Sequence, residues 1–200
     1  MRFAKGHKEE TRQRIIEVAS RMFRRDGVEA VGIAGLMAEA GLTHGGFYAH
    51  FRSKEELVRA AMLSAFEQSR LRREGAGKEA GLEDLIRTYL RPAHRDAPER
   101  GCAAAALVGE IGRHEAATRA AFFEKLEDLT ARIAGLLPAD LPETERTATA
   151  TAIFGTMLGT LQMARVATDP NRSDAILESG IAAALRLACP ATSAPANRPA

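Results

Sequence analysis

Along most of this chain, apolar residues recur at intervals of three and four, the spacing of one face of an α-helix. Ile15, Ile16, Ala19, Met22 and Phe23 form the first such stripe and predict a helix from about Lys8 to Asp26. Arg12, Arg14, Arg21, Arg24 and Arg25 decorate its other faces. Gly27 follows at the position where a left-handed residue ends a helix. Ile33, Leu36, Met37 and Ala40 predict a second helix that Gly41 breaks. Thr43 suits the N-cap of a third, short helix running to about His50. Ser53 is another N-cap, and Glu56 three residues on completes a capping box. The helix it opens carries Leu57, Val58, Ala61, Met62, Ala65 and Phe66 and fades near Arg73.

Next comes "REGAGKEAGLE", residues 73 to 83, a glycine-rich link that reads as a domain boundary. Further helices are predicted at about Leu82–Leu90, Cys102–Gly112, Glu115–Leu137, Pro142–Ala167 and Ser173–Leu187. Pro138, Pro142 and Pro170 mark the turns between them. The last residues, "CPATSAPANRPA", are small, polar and proline-rich, the composition of a disordered tail. Runs with the two-residue period of strands are missing. The expected fold is all-α with about nine helices. A three-helix unit in residues 1–73 leads into a helical body of residues 74–189 and a tail of residues 190–200.

Composition narrows the picture. Hydrophobic residues make up 46% of the 200, yet aromatics only 5% with no Trp, so the core must be built from Ala, Leu, Ile, Val and Met. No apolar run approaches the roughly 18 residues of a membrane span. The N-terminus lacks the apolar middle of a signal peptide. Cys102 and Cys189 do not form a disulfide framework. A cytoplasmic protein without a membrane partner is expected. The net charge is only +2, but residues 1–54 hold 10 Lys+Arg against 6 Asp+Glu. A basic front on a slightly acidic body suggests a polyanion partner at the N-terminal end.

Residues 33–50 therefore read as helix, tight turn, short helix, the arrangement that lays its second helix in a DNA major groove. Leu42, Phe47 and Phe51 suit the face that holds that helix down. Thr43, His44, Gly45, Gly46, Tyr48 and Ala49 remain for DNA. Each glycine in a helix interior costs roughly 1 kcal/mol against Ala. A bare backbone offsets this by letting the helix start press against phosphates or base edges, where its free N–H groups bind a phosphate. The Tyr48 hydroxyl can reach another phosphate, and Lys54 adds a charge beside those N–H groups.

Residues 9 to 62 resemble the DNA-binding domain of the TetR family of transcriptional regulators. The segments that carry the likeness are "TRQRIIEVASRMFRRDGVEAVGI" and "MAEAGLTHGGFYAHFRSKEEL". The resemblance implies DNA contacts at Thr43, His44, Gly45, Tyr48 and Lys54. Some positions depart from the family's usual pattern. Gly32 stands where Thr or Ser often caps the second helix and touches phosphate. Gly35 stands where an acidic residue is frequent, and Gly46 where a small hydroxyl residue often reads DNA. His44 replaces a common Lys. The resemblance also implies a homodimer through the last two helices on a palindromic double-stranded operator. A small-molecule effector held by the body would release the DNA, making the chain a repressor. Candidates to line its pocket are Phe66, Tyr89, Leu107, Ile111, Phe122, Leu126, Met157 and Leu161, with Tyr89, His94, His114, Gln162 and Arg165 as polar partners.

Two stretches of the body carry readings of their own. "ATATAIFGTMLGTLQMARVA" is apolar almost all round, with Gly155 and Gly159 four apart; it suits either a buried helix or a dimer seam. Cys102 lies at a helix start with Arg95 and Arg100 close in sequence, a setting that lowers a thiol pKa and would suit a sensor of oxidants or electrophiles. No Ser-His-Asp ordering, metal-ligand cluster or phosphate loop is evident. No catalytic reaction, metal or cofactor is expected.

Overall fold

The structure, a computed structural model, describes residues 5–75 and 81–189. Among them are the helices α1 (Lys5–Asp26), α2 (Ile33–Glu39), α3 (Lys54–Gly75), α4 (Leu82–Tyr89), α5 (Pro92–Arg95), α6 (Ala103–Ile111), α7 (Ala116–Ala134), α8 (Glu143–Val166) and α9 (Pro170–Ala188). Two 3-10 segments, His44–Ala49 and Pro98–Arg100, complete the described elements, and none of these is a strand. The all-α expectation holds. The expected tail and the middle of the glycine-rich link lie outside the described residues.

The chain divides into two compact units, one of Met1–Lys78 with Asp96–Glu127, the other of Glu79–Arg95 with Asp128–Ala200. This cut differs from the functional division expected between residues 73 and 74: α6 and the first part of α7 pack in the same unit as α1 to α3.

The first unit is built on the predicted apolar stripes. Ile15, Ala19 and Phe23 of α1, Leu36 and Met37 of α2, and Leu57, Val58, Ala61 and Met62 of α3 are all buried. Gly27 and Gly41 end α1 and α2 with φ of +85° and +72°, the left-handed conformation expected of them. The polar side of α1 differs from expectation in one place. Arg24 is 4% exposed, not solvated. Its guanidinium donates to the Ser20 and Gly101 carbonyl oxygens at 2.9 and 3.0 Å, and to Ser20 Oγ and Gln68 Oε1 at 3.2 and 3.3 Å. Buried charge is tolerated when its donors are satisfied in this way.

In the second unit, α8 and α9 form an antiparallel pair. Ile153, Phe154, Met157, Leu161 and Ala164 of α8 are buried, as are Leu177, Ile181 and Ala184 of α9. Gly180 lets the two backbones approach: a Cβ there would lie 2.2 Å from Thr160 Cγ2. At the turn, Ser173 Oγ donates to the Ala164 carbonyl at 2.7 Å. Helix α9 starts three residues before its predicted Ser173, with Pro170 in its first turn. Proline lacks only an N–H that a helix start leaves unbonded, and the Asp169 carboxylate caps the turn by accepting from Asn171 N at 2.9 Å. Helix α7 ends at Ala134, short of the predicted Leu137.

Candidate DNA-binding site

Met37, Phe47 and Phe51 anchor the segment after α2. Phe47 and Phe51 are at most 1% exposed and stack with ring centroids 5.6 Å apart. Arg12 of α1 lies over the Phe51 ring, 4.8 Å from its centroid, and pairs with Glu56 at 3.6 Å. The segment itself is wound as a 3-10 helix over His44–Ala49, tighter than the α-helix expected. Its bonds include Gly46 N to the Thr43 carbonyl at 3.0 Å and His50 N to the Phe47 carbonyl at 2.9 Å. Thr43 takes the extended N-cap backbone, but its side chain makes no capping hydrogen bond. The expected hydroxyl cap is thus absent.

With one ring buried, the other side of the turn is open. Thr43, His44, Gly45, Tyr48 and Ala49 are exposed, Tyr48 by 64%. The two glycines divide. A Cβ at Gly45 would meet nothing within 4 Å. One at Gly46 would point inward, 3.6 Å from Met37 Cε and 3.7 Å from Thr43 Oγ1. Of the two glycines expected to present a bare backbone, Gly45 alone has an open face. Gly46 is half-buried against its own protein. Gly32 and Gly35 are exposed on the α2 side, and Gly32 occupies the N-cap position of α2 without a side chain to cap it.

Ser53 behaves as predicted, its Oγ accepting from Glu56 N at 3.1 Å. The reciprocal bond is displaced by one residue, because the Glu56 carboxylate accepts from Arg52 N at 2.9 Å, not from Ser53 N. Lys54 is half-buried, and its Nζ donates to the Val28 carbonyl at 2.7 Å. An ammonium has three donors, so two remain beyond this bond.

One group the sequence did not single out stands at the end of the turn. His50 Nδ1 is buried with no hydrogen-bond partner. Burial, then the positive charges of Lys8 and Arg12, push its pKa below the ordinary value, against a smaller opposing effect of Glu9. The only signal for it in the sequence was its place behind the aromatic pair.

The residues proposed for an effector fall in separate places. Phe66, Leu107, Ile111, Phe122 and Leu126 belong to the first unit, where Phe66 and Phe122 meet edge to face at 5.4 Å. Tyr89, Met157 and Leu161 belong to the second, where Tyr89 packs on His94 at 4.7 Å and Phe154 at 6.1 Å. The polar candidates are mostly engaged. His94 Nδ1 lies 2.7 Å from the Tyr89 carbonyl. Arg165 donates to the carbonyls of Arg95 and His94 at 3.2 and 3.0 Å. His114 Nδ1 lies 2.8 Å from Glu55 Oε2. Gln162 is half-buried.

Cys102 is the half-buried N-cap residue of α6 and makes no capping bond. Of the two cations expected beside it, Arg95 belongs to the second unit and is bonded to Asp174 at 2.6 Å and Ser173 at 2.8 Å. Arg100 pairs with Glu99 at 3.7 Å. Among the described residues no group of three or more His, Cys, Asp or Glu could hold a metal, and no helix is long and apolar enough to cross a membrane.

This exposed turn on a three-helix frame has known counterparts. Residues 15–61 match the model for bacterial regulatory proteins of the tetR family. By this match, residues 15–61 are of the TetR-family type. Over 67 residues it is 42% identical to the HTH-type transcriptional regulator TtgR of Pseudomonas putida, covering 34% of this chain and 32% of the relative. The match thus spans about a third of the length of that curated relative. Two solved structures share the fold over nearly all of the chain. A TetR transcriptional regulator from Chloroflexus aurantiacus superposes with a TM-score of 0.74 at 22% identity, over 92% of this chain and 96% of that one. A TetR-family regulator from Cytophaga hutchinsonii does so with a TM-score of 0.72 at 19% identity, over 92% and 97%. That relative and both solved structures are named as transcriptional regulators.

Proposed function

We propose that this chain represses transcription by binding a palindromic double-stranded operator as a homodimer, and that a small-molecule effector releases it. The observation that carries the reading is the turn His44–Ala49, pinned by buried Phe47 while Thr43, His44, Gly45, Tyr48 and Ala49 stay exposed. Lys54 flanks it with two free donors. The dimer reading is supported by the outer side of α8. Gly155 and Gly159 have no neighbour within 4 Å of a built Cβ, and Met163 and Val166 are 63% and 80% exposed. Apolar and small residues left open along one helix suit close contact with a second copy. Two recognition turns about 34–36 Å apart would then meet successive major grooves. For the effector we favour the cluster of Phe66, Leu107, Ile111 and Phe122 in the first unit. To empty the operator, that effector must prefer the DNA-incompetent state by about 10⁴-fold.

Selection from a random duplex pool, followed by gel shift at 150 mM salt, tests the reading. A palindromic site bound by two chains is expected, and Tyr48→Phe weakens binding to every duplex by about 0.5–1.5 kcal/mol. Recovery of no preferred duplex refutes it. Thiol sensing through Cys102 is the alternative mode of release. It is established only if peroxide or an electrophile frees the wild type from that duplex and Cys102→Ser abolishes the release.

A further inference from the structure

The corner between α6 and α7 grips the DNA-binding segment at two points. At the end of α6, the Glu110 carboxylate accepts from the backbone N–H groups of Val28 and Glu29, at 2.8 and 3.1 Å. It fits against the bare face of Gly27, where a Cβ would lie 2.6 Å from Glu110 Oε1. Val28 is the same residue whose carbonyl receives the Lys54 ammonium at 2.7 Å. Three residues from the end of α6, His114 meets Glu55, the neighbour of Lys54, at 2.8 Å, with side chains only 10% and 17% exposed. The Thr118 hydroxyl of α7, fully buried, acts on the same carboxylate. Burial alone would raise the Glu55 pKa, but the Thr118 hydroxyl, the His114 ring and the Glu115 backbone outweigh it and hold the group below its ordinary value. Glu55 is therefore ionised at neutral pH, beside His114 at 2.8 Å.

We propose that Glu110 is a positioning residue for DNA binding: it fixes the turn between α1 and α2, and that turn aims the Lys54 ammonium at a backbone phosphate. This rests on the DNA-contact reading proposed above. Glu110 carries a negative charge and does not itself suit a phosphate. Its effect runs through residue Val28, whose N–H donates to Glu110 and whose carbonyl accepts from Lys54. Without the carboxylate, the Val28 and Glu29 N–H groups lose their acceptor, the turn loosens, and the carbonyl that holds Nζ moves with it. A network of this kind transmits positional changes with effects of roughly two- to thirtyfold in binding.

A double-mutant cycle in the full chain tests this. The probe is a fluorescein-labelled duplex selected by the wild-type protein, titrated at several salt concentrations. Lys54→Ala is expected to weaken binding and to lower the salt slope by about one unit per half-site. Glu110→Ala is expected to weaken binding roughly two- to thirtyfold and to lower the slope by the same amount, although it removes a negative charge. The double variant is expected to bind no worse than the weaker single. Simple charge removal would strengthen binding, and a general loss of fold would leave the salt slope of the remaining folded protein unchanged. Glu110→Gln keeps an acceptor oxygen and covers the case of a poorly folded alanine variant; its loss is smaller and in the same direction. Arg113→Ala, on the exposed side of the same corner, binds as wild type. Wild-type affinity and slope in both Glu110 variants overturn the proposal while leaving DNA binding intact. So do additive losses in the double variant, or an unchanged slope in Lys54→Ala. Failure of the wild type to select any duplex overturns the reading beneath it instead.

Discussion

Replacing Gly27 by alanine strikes the joint between α1 and α6 in a way that separates backbone strain from side-chain contact. Gly27 sits at φ +85°, and an alanine held left-handed costs about 1–2 kcal/mol. Its methyl carbon would also stand 2.6 Å from Glu110 Oε1, far inside contact distance. The carboxylate is the movable partner, so it swings away and gives up its bonds to Val28 N and Glu29 N. The Glu29 site is exposed, where water replaces the lost acceptor. The Val28 bond, part-buried, counts more fully, at about 1.5–3 kcal/mol for a bond to a charged group. Alanine also stiffens the unfolded chain, which returns about 0.4–1 kcal/mol. The net loss is about 2–4 kcal/mol. For a chain of this size that is a fall of roughly 5–15 °C in melting temperature, read by circular dichroism. Gly41→Ala is the control: its φ is +72°, but a Cβ there meets nothing within 4 Å. It shows the strain alone, under about 2 kcal/mol. In a Glu110→Ala background, Gly27→Ala should fall to the same cost as Gly41→Ala. If Gly27→Ala costs no more than Gly41→Ala in the wild type, or the same with and without Glu110, the carboxylate contact is not what holds this turn.

Other expectations follow from single contacts. Gly46→Ala, whose methyl finds ordinary contact with Met37 and Thr43, should keep or raise the melting temperature and keep DNA affinity, whereas Gly45→Ala should keep stability and weaken binding of the selected duplex. The reverse pattern in a paired melt and titration would mean that Gly46 carries the approach to DNA. Gly180→Ala gains about 1 kcal/mol of helix propensity but forces α8 and α9 apart at Thr160, where overpacking costs about 1–3 kcal/mol. A lower melting temperature is expected, and a higher one would show that the pair is not closely packed there. His50 has a folded pKa below its ordinary value, so the unfolded chain takes up the proton first. Its contribution to stability is present above about pH 6.5 and is lost as pH falls below it. Urea unfolding of His50→Gln from pH 7.5 to 5 should therefore show a shallower acid loss than wild type, and equal slopes would refute the shift.

Periodicity and capping chemistry alone located the helices α1, α2 and α3 and determined how α1 and α2 stop. The Ile15 to Phe23 stripe, the left-handed glycines 27 and 41 and the Ser53 cap are interactions within a few residues, and such interactions can be read along the chain. The helix-turn-helix reading rested on the same local signals. Other features depended on what arrived from elsewhere in the chain. The sequence placed Arg24 among solvated arginines, but it is buried because the Gly101 carbonyl, 77 residues away, comes to its guanidinium. Thr43 had the right residue type for a cap, yet a 3-10 turn pinned by Phe47 leaves its hydroxyl unused. Gly45 and Gly46 are equivalent in sequence, and only the packing of Met37 decides which of them is bare toward solvent. Glu110 and His114 meet partners 82 and 59 residues distant. A helix repeats every 3.6 residues whatever surrounds it. Which carboxylate reaches which N–H group depends on the path of the whole chain, and only the tertiary structure brings those two ends together.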